Sequence, residues 1–452
     1  MRWSQSSLFV LIAAICVACV SVSASVRRVE SKLPSGLPDP LVFANGRRVL
    51  GQQQWAQRRK QLLRFFTTQM YGRMPPRPAA MRFLVSEAPH PALEGLAQRS
   101  QITILLNGHA GGPQINLLLY VPTGVKQPPV ILGMNFWGNE TINADPGIHI
   151  SKRWVESEKN PWVDLSCVKH HRATAACRGI NASQWPLKMI LDHGYAVATF
   201  YRGDLDRDRK GNYQHSIRSQ YPDLHTGGSD FSTIGAWAWG MSRALDYLQT
   251  DAAVNGNRVV AFGWSRLGKA ALWAAATDPR FVAVISNESG AGGAKLFHHL
   301  HGQTIAQLNK DFPYWFCRNF HRYDGDDSVL PFDQNEMLAL IAPRPLYIAS
   351  AIDDRQSDPL GEFLDAKAVS RVYRFLGKRG LPVKIWPRVN HPVLGRVSYH
   401  VRSGGHGVTS YDWKQYLKFC DRYVKHQAAS PSQHVISQQG VPLRVTAERK
   451  SS

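Results

Sequence analysis

The stretch Arg258-Val259-Val260-Ala261-Phe262-Gly263-Trp264-Ser265-Arg266-Leu267-Gly268-Lys269-Ala270-Ala271-Leu272 decides the fold. Its first part, Arg258–Phe262, is a short apolar run of the kind that forms a buried strand. Its continuation, Lys269–Thr277, is rich in alanine and reads as a helix. Between them lies a tight turn with one serine at its apex. A serine on such a strand-to-helix turn stands above the edge of a sheet. The N–H of the following residue then points at whatever the hydroxyl attacks. Ser265 is therefore the candidate nucleophile. The spacing departs from G-x-S-x-G, because Leu267 holds the place of the second glycine and Gly268 follows it. The competing reading is a serine that merely caps the helix.

Outward from this turn, strands and helices alternate. Strand-like runs precede it at Gln101–Leu106, Ile115–Val121, Val130–Phe136 and Tyr195–Tyr201. Others follow it at Phe281–Ser286, Pro345–Ser350 and Val383–Pro387. Helical patterns fall at Trp55–Tyr71, Gln184–His193, Thr233–Thr250, Asp365–Lys378 and Asp412–Lys425. The first strand pair is joined by the short, glycine-bearing Asn107–Gln114, so it is a hairpin. Later strands alternate with helices, which implies a mostly parallel sheet. An antiparallel start, parallel β/α units and a serine turn after the fifth such strand make the α/β-hydrolase pattern. Long interruptions at 137–183, 202–232 and 291–335 read as loop insertions around the active site.

The chain of 452 residues is long enough for one large domain. Residues 1–24 read as a signal peptide: Arg2 gives a positive start, Leu8–Val20 is apolar, and Val22-Ser23-Ala24 is a small-residue cleavage site. Export to the periplasm or the medium is expected. Residues 25–426 then form a single catalytic domain, and 427–452 a polar tail. Four cysteines remain after the leader: Cys167, Cys177, Cys317 and Cys420. They allow three pairings, of which Cys167 with Cys177 is the local one. The formal charge of +21 attracts polyanions. In an exported chain an acidic polysaccharide fits that charge better than nucleic acid. No further segment is apolar over the ~20 residues that a membrane span needs, and no cofactor fingerprint or C-x-x-C zinc spacing is present.

A serine hydroxyl needs a base. His406, between glycines in Gly404-Gly405-His406-Gly407 and just before the last helix, has the loop setting for that base; His391 and His400 are rivals. Two acids compete for the third role. Asp354 follows the strand Pro345–Ser350, and Glu288 follows Phe281–Ser286. Such an acid fixes the imidazole tautomer and stabilises the imidazolium, and the residues leave the choice open. Arg266 adds a cation beside the serine, suited to a developing oxyanion. Lys269 lies one helical turn further on. Two cations there suggest an acidic or polyhydroxylated acyl group. Asp204, Asp206 and Asp208 imitate a calcium loop, but Arg209 stands where glycine is needed and His215 where the bidentate Glu belongs. They are expected in a surface turn, and no metal is expected anywhere.

With these elements in place, the chain resembles the bacterial glucuronoyl esterases. The likeness is carried by Ser265–Lys269 (SRLGK), Ser286–Gly290 (SNESG), Leu330–Asp333 (LPFD), Leu338–Pro345 (LALIAPRP), Gly235–Gly240 (GAWAWG) and His406 with Tyr411-Asp412-Trp413. It spans about residues 35–425. The resemblance implies a metal-independent α/β-hydrolase. Its substrate would be the ester between 4-O-methyl-glucuronic acid of glucuronoxylan and lignin alcohols. It also implies that Ser265 is nucleophile, His406 base, Arg266 oxyanion helper and Lys269 a sugar-hydroxyl ligand. Glu288 and Asp354 match the family's two acid positions. Two positions depart. Gln303 stands where many members carry a sugar-binding glutamate, and Gln356 where a tryptophan packs beside the sugar. The expectation is a monomeric secreted esterase. The alternatives are another carbohydrate esterase, such as an acetyl xylan esterase, and a catalytically dead polysaccharide-binding relative.

Overall fold

One mixed sheet of nine strands organises the described residues, in the order β1-β2-β3-β5-β4-β6-β7-β8-β9. The structure is a computed structural model and describes residues 31–157 and 163–425. The leader (1–24) and the tail (427–452) lie outside the described residues. The strands are β1 (Arg82–Ala92), β2 (Ala97–Leu105), β3 (Gln114–Pro122), β4 (Val130–Asn135), β5 (Ala196–Tyr201), β6 (Val259–Trp264), β7 (Phe281–Asn287), β8 (Leu346–Ala351) and β9 (Val397–Arg402). The helices are α1 (Gln52–Gln69), α2 (Leu187–Asp192), α3 (Thr233–Leu248), α4 (Arg266–Thr277), α5 (Ile305–Asp311), α6 (Gln334–Ala339), α7 (Pro359–Phe375) and α8 (Ser410–Cys420).

The first four strands of the sheet order pair antiparallel, and every pair from β5 onward in that order (β5-β4-β6-β7-β8-β9) is parallel. Every residue of β4, β5, β6, β8 and β9 is buried. Helices on both faces cover a parallel sheet in this way, so its strands need no polar alternation. Helix α3 is buried along its whole length, and α4 buries all but Arg266 and Thr277. Helix α1 is amphipathic, as its spacing predicts. Trp55, Leu62 and Phe66 are buried and Arg58 pairs with Glu336 at 2.6 Å. From β4 the chain steps to β5 on one side, then crosses back over β4 to reach β6 on the other. Ligands of open α/β sheets gather outside the strand ends at such a reversal, and Ser265 stands there.

The sheet corrects the sequence reading at both edges. Val383–Pro387 is not a strand. It sits between Pro382 and Pro387 in a loop, and the last sheet position belongs to β9. That strand pairs in parallel with β8 from Leu346↔Val397 to Ala351↔Arg402. Its serine, histidine and arginine disguise it as a polar segment. At the other edge β1 contains Pro89 and Pro91 and is mostly exposed. An edge strand tolerates proline, and two register shifts along β1–β2 relieve the pairing. Cys167 and Cys177 form a disulfide, while Cys317 and Cys420 are free and buried. No helix among the described residues is long and apolar enough to cross a membrane.

Candidate active site

Ser265 follows β6 with φ 56° and ψ −131°, a conformation that a residue with a Cβ adopts only when its surroundings impose it. Its N–H donates to the Asn287 carbonyl at 2.8 Å, and its carbonyl accepts the Gly268 N–H at 2.9 Å. It holds the N-cap position of α4, yet its side chain makes no capping bond. The hydroxyl is thus not consumed by the helix, which disposes of the capping alternative. The unusual glycine spacing has a packing cause. A Cβ on Gly263 would strike the Leu267 carbonyl, and one on Gly268 would lie 3.0 Å from Ser289 Cβ. These two glycines let α4 start against β6 and β7.

The neighbouring strand ends supply the base and acids. Asp354 follows β8, and its Oδ2 lies 2.6 Å from His406 Nδ1. Glu288 follows β7 with φ 47°, and its Oε2 lies 3.2 Å from the same nitrogen. With two carboxylates on Nδ1, that nitrogen carries the hydrogen and Nε2 is the basic one. Both acids therefore reach His406. The two differ in environment. Burial raises the Glu288 pKa well above its ordinary value, against the pull of Arg402 and the Gly407 N–H. Burial also acts on Asp354, but its bond to His406, the charge there and two bonds from Ser357 hold it below the usual carboxylate value.

Arg402, on β9, pins this loop. Its Nη2 donates to Glu288 Oε1 at 2.7 Å and to the carbonyls of Gly405 and Gly407 at 3.0 and 2.6 Å. Its Nε donates to Asp412 Oδ2 at 2.9 Å. Asn287 joins the loop to the serine turn: it accepts from Ser265 N–H and donates through Nδ2 to the Gly407 carbonyl at 3.0 Å. The rival histidines lie elsewhere. His400 is buried between Asp412 and Tyr347, and His391 is exposed.

Arg266 is held from the opposite side. Its Nη1 donates to Asp208, and its guanidinium lies 4.9 Å from the Trp315 ring centre and 5.3 Å from that of Phe312. Those two rings stack at 3.7 Å. Its Nε is buried and has no hydrogen-bond partner among the described residues. Asp208 also accepts from Arg202, from the Tyr314 hydroxyl at 2.9 Å and from Trp315 Nε1 at 2.7 Å. The surface turn expected at Asp204, Asp206 and Asp208 is therefore wrong. All three side chains are buried: Asp204 accepts the Asn116 N–H at 2.7 Å, and Asp206 accepts Arg218 Nε at 2.6 Å. Arginines and backbone donors from distant segments offset the cost of burying them.

Lys269 is buried, with Nζ on the carbonyls of Ser289 and Ala291. Burial and then the Arg266 charge lower its pKa to about 7. Gln303 is buried with its Nε2 unpartnered, and its N–H donates to the Gln356 carbonyl at 3.1 Å. Gln356 is exposed. The two departures from the family pattern are thus neighbours. Glu288, Asp354 and His406 place possible metal-ligand atoms within 4.8 Å of one another. The Arg402 guanidinium already neutralises Glu288, and Asp354 is committed to the imidazole, so the donor set suits proton transfer rather than a cation.

The chain is similar to known esterases. A family model described as "Glucuronyl esterase, fungi" matches residues 167–377. A carbohydrate esterase from an unknown prokaryotic organism is 39% identical over 402 residues, covering 87% of this chain and 91% of that one. A solved glucuronoyl esterase from Solibacter usitatus superposes with a TM-score of 0.80 at 39% identity, over 87% of this chain and 99% of that one. The chain belongs to the CE15 glucuronoyl esterase family. More distant relatives include a 4-O-methyl-glucuronoyl methylesterase from Wolfiporia cocos, 28% identical over 62% of this chain and 67% of its own length. Within the family's α/β-hydrolase fold, three groups at this site escaped the sequence reading: Arg402, Asp208 and the Tyr314–Trp315 pair. Each lies far along the chain from the serine turn. The only local signal was a run of acids beside Arg202 and Arg207, too common in loops to be read alone.

Proposed function

We propose that this chain is a serine-type carboxylic-ester hydrolase acting on glucuronoyl esters. Its substrate class is the ester joining 4-O-methyl-glucuronic acid of glucuronoxylan to lignin alcohols. Ser265 Oγ attacks the ester carbonyl as His406 Nε2 takes its proton. Asp354 and Glu288 hold the imidazole and stabilise its cation. The Arg266 N–H groups stabilise the tetrahedral oxyanion. His406 then protonates the departing alcohol, and water deacylates Ser265 by the reverse path. Lys269, Gln303 and Gln356 shape the sugar pocket, Lys269 chiefly by fixing the 289–291 carbonyls. Two carboxylates converge on His406 Nδ1, beside a serine freed from helix capping, and this observation carries the reading. The proposal extends to an exported single-domain enzyme, 25–426 after its leader, acting as a monomer without a cofactor.

The test uses purified protein with benzyl glucuronate, methyl glucuronate and an acetylated xylan. Serine-dependent hydrolysis of the glucuronates is expected, and Ser265→Ala should lower kcat roughly 10⁶-fold. Hydrolysis of acetyl ester alone would make the chain an acetyl xylan esterase. Binding of xylan without any Ser265-dependent hydrolysis would make it a non-catalytic relative.

A further inference from the structure

We infer that a second cavity, at the ends of β3 and β5, binds the acidic sugar chain on either side of the ester-bearing unit. The cavity holds about 810 Å³ and lies between β2–β3 and the 139–153 segment of the first insertion. This is within the ~300–1,000 Å³ usual for ligand sites. Leu117 of β3 pairs with Phe200 of β5, so the start of β3 and the end of β5 share one edge of the sheet. Ser265 follows β6 at that same edge, and only β4 lies between β5 and β6. The cavity's β5 wall lies two strand spacings, about 10 Å, from the strand of the serine turn, and its β3 wall three, about 14 Å. One extended sugar chain can lie across both.

The lining favours hydroxyls and a carboxylate. Glu140 is fully buried: its Oε2 accepts the Ser151 N–H at 3.2 Å, while its Oε1 has no hydrogen-bond partner among the described residues. A lone buried acceptor is costly until a donor meets it, and a sugar hydroxyl is such a donor. Asp204 shares the wall and is bonded to Asn116. Burial raises the pKa of Glu140 to about 7 and that of Asp204 to about 6. Against these two carboxyls stand Lys152, Arg153 and Arg178. Arg178 donates to the Asp145 carbonyl at 2.9 Å, and Arg153 lies 3.7 Å from Asp204. Three cations facing two partly protonated acids leave the cavity positive, which repels a metal ion and attracts a uronate. Tyr201 and His149 are the only aromatic rings among the described lining residues, with no tryptophan or phenylalanine, so recognition rests on hydrogen bonds more than on stacking.

The identity of the sugar rests on the glucuronoyl esterase reading; the existence of the site does not. The test is calorimetry in a Ser265→Ala background with two probes, methyl glucuronate and an ester-free xylo-oligosaccharide bearing a glucuronic acid branch. Arg153→Gln with Arg178→Gln should weaken the oligosaccharide about tenfold relative to methyl glucuronate. Lys152→Glu, at an exposed position, should act in the same direction without touching the fold. Equal weakening of both probes, or of neither, would overturn the inference. If wild-type enzyme hydrolyses neither ester, the catalytic reading fails, and the oligosaccharide titration still decides the cavity.

Discussion

The two flanks of Ser265 are built differently. On one flank His406 is held by two carboxylates, Asp354 and Glu288, from the ends of adjacent strands. On the other, Arg266 rests on one carboxylate, Asp208, which comes from an insertion and serves four donors at once. The first flank has a spare part and the second has none. A group with a substitute tolerates single loss, whereas a shared anchor does not, because its removal releases several partners together.

Removing both acids gives the largest effect on this contrast. Glu288→Gln combined with Asp354→Asn should lower kcat on benzyl glucuronate about 10⁴-fold, as loss of tautomer control does in related triads. A double variant that keeps a tenth of the rate would break the assignment of both acids. Next comes the unshared anchor. Asp208→Asn should cost roughly 10²–10³ in kcat, and Asp208→Glu, which keeps the charge, should recover part of it. If Asp208→Asn costs no more than a single acid, the contrast fails. The single acids follow, at about tenfold each. Asp354→Asn should be the worse of the two, since Asp354 lies closer to Nδ1 and is held ionised. A larger loss from Glu288→Gln would reverse their order.

The smallest effect concerns stability beneath the acid flank. Glu362 is buried and accepts the Ser350 hydroxyl at 2.6 Å and the Gly290 N–H at 2.9 Å. Burial raises its pKa from 4.5 to about 8. The folded state therefore holds a proton that the unfolded chain releases. The contribution is whole below pH 4.5 and is lost as pH rises through about 8. Glu362→Gln should flatten the fall in thermal midpoint between pH 5 and pH 9, a difference of roughly 2–4 °C. Parallel curves for the two proteins would show that Glu362 ionises without penalty.

This contrast also explains what the sequence could say. Ser265, Glu288, Asp354 and His406 each sit just past a strand, in short segments whose glycine, proline and apolar neighbours announce a turn. Local pattern is enough to find them. Asp208 has no such frame. Its neighbours are polar and charged, and its burial depends on Arg202, Arg266, Tyr314 and Trp315 arriving from elsewhere, so the residues alone suggested a surface turn. Strand β9 failed for a related reason. His400 and Arg402 look solvent-seeking until Asp412 and Glu288 neutralise them inside the protein. Where buried charge is paired over long range, periodicity misleads, and the site's second half was hidden for that reason.

Arg402 has a mechanical consequence. A single guanidinium ties the first turn of the last long helix to the loop that presents the imidazole. Fraying from the carboxyl terminus cannot pass Asp412 without loosening that loop, so on warming, turnover should fade in step with the melting of the final helix and ahead of the central sheet.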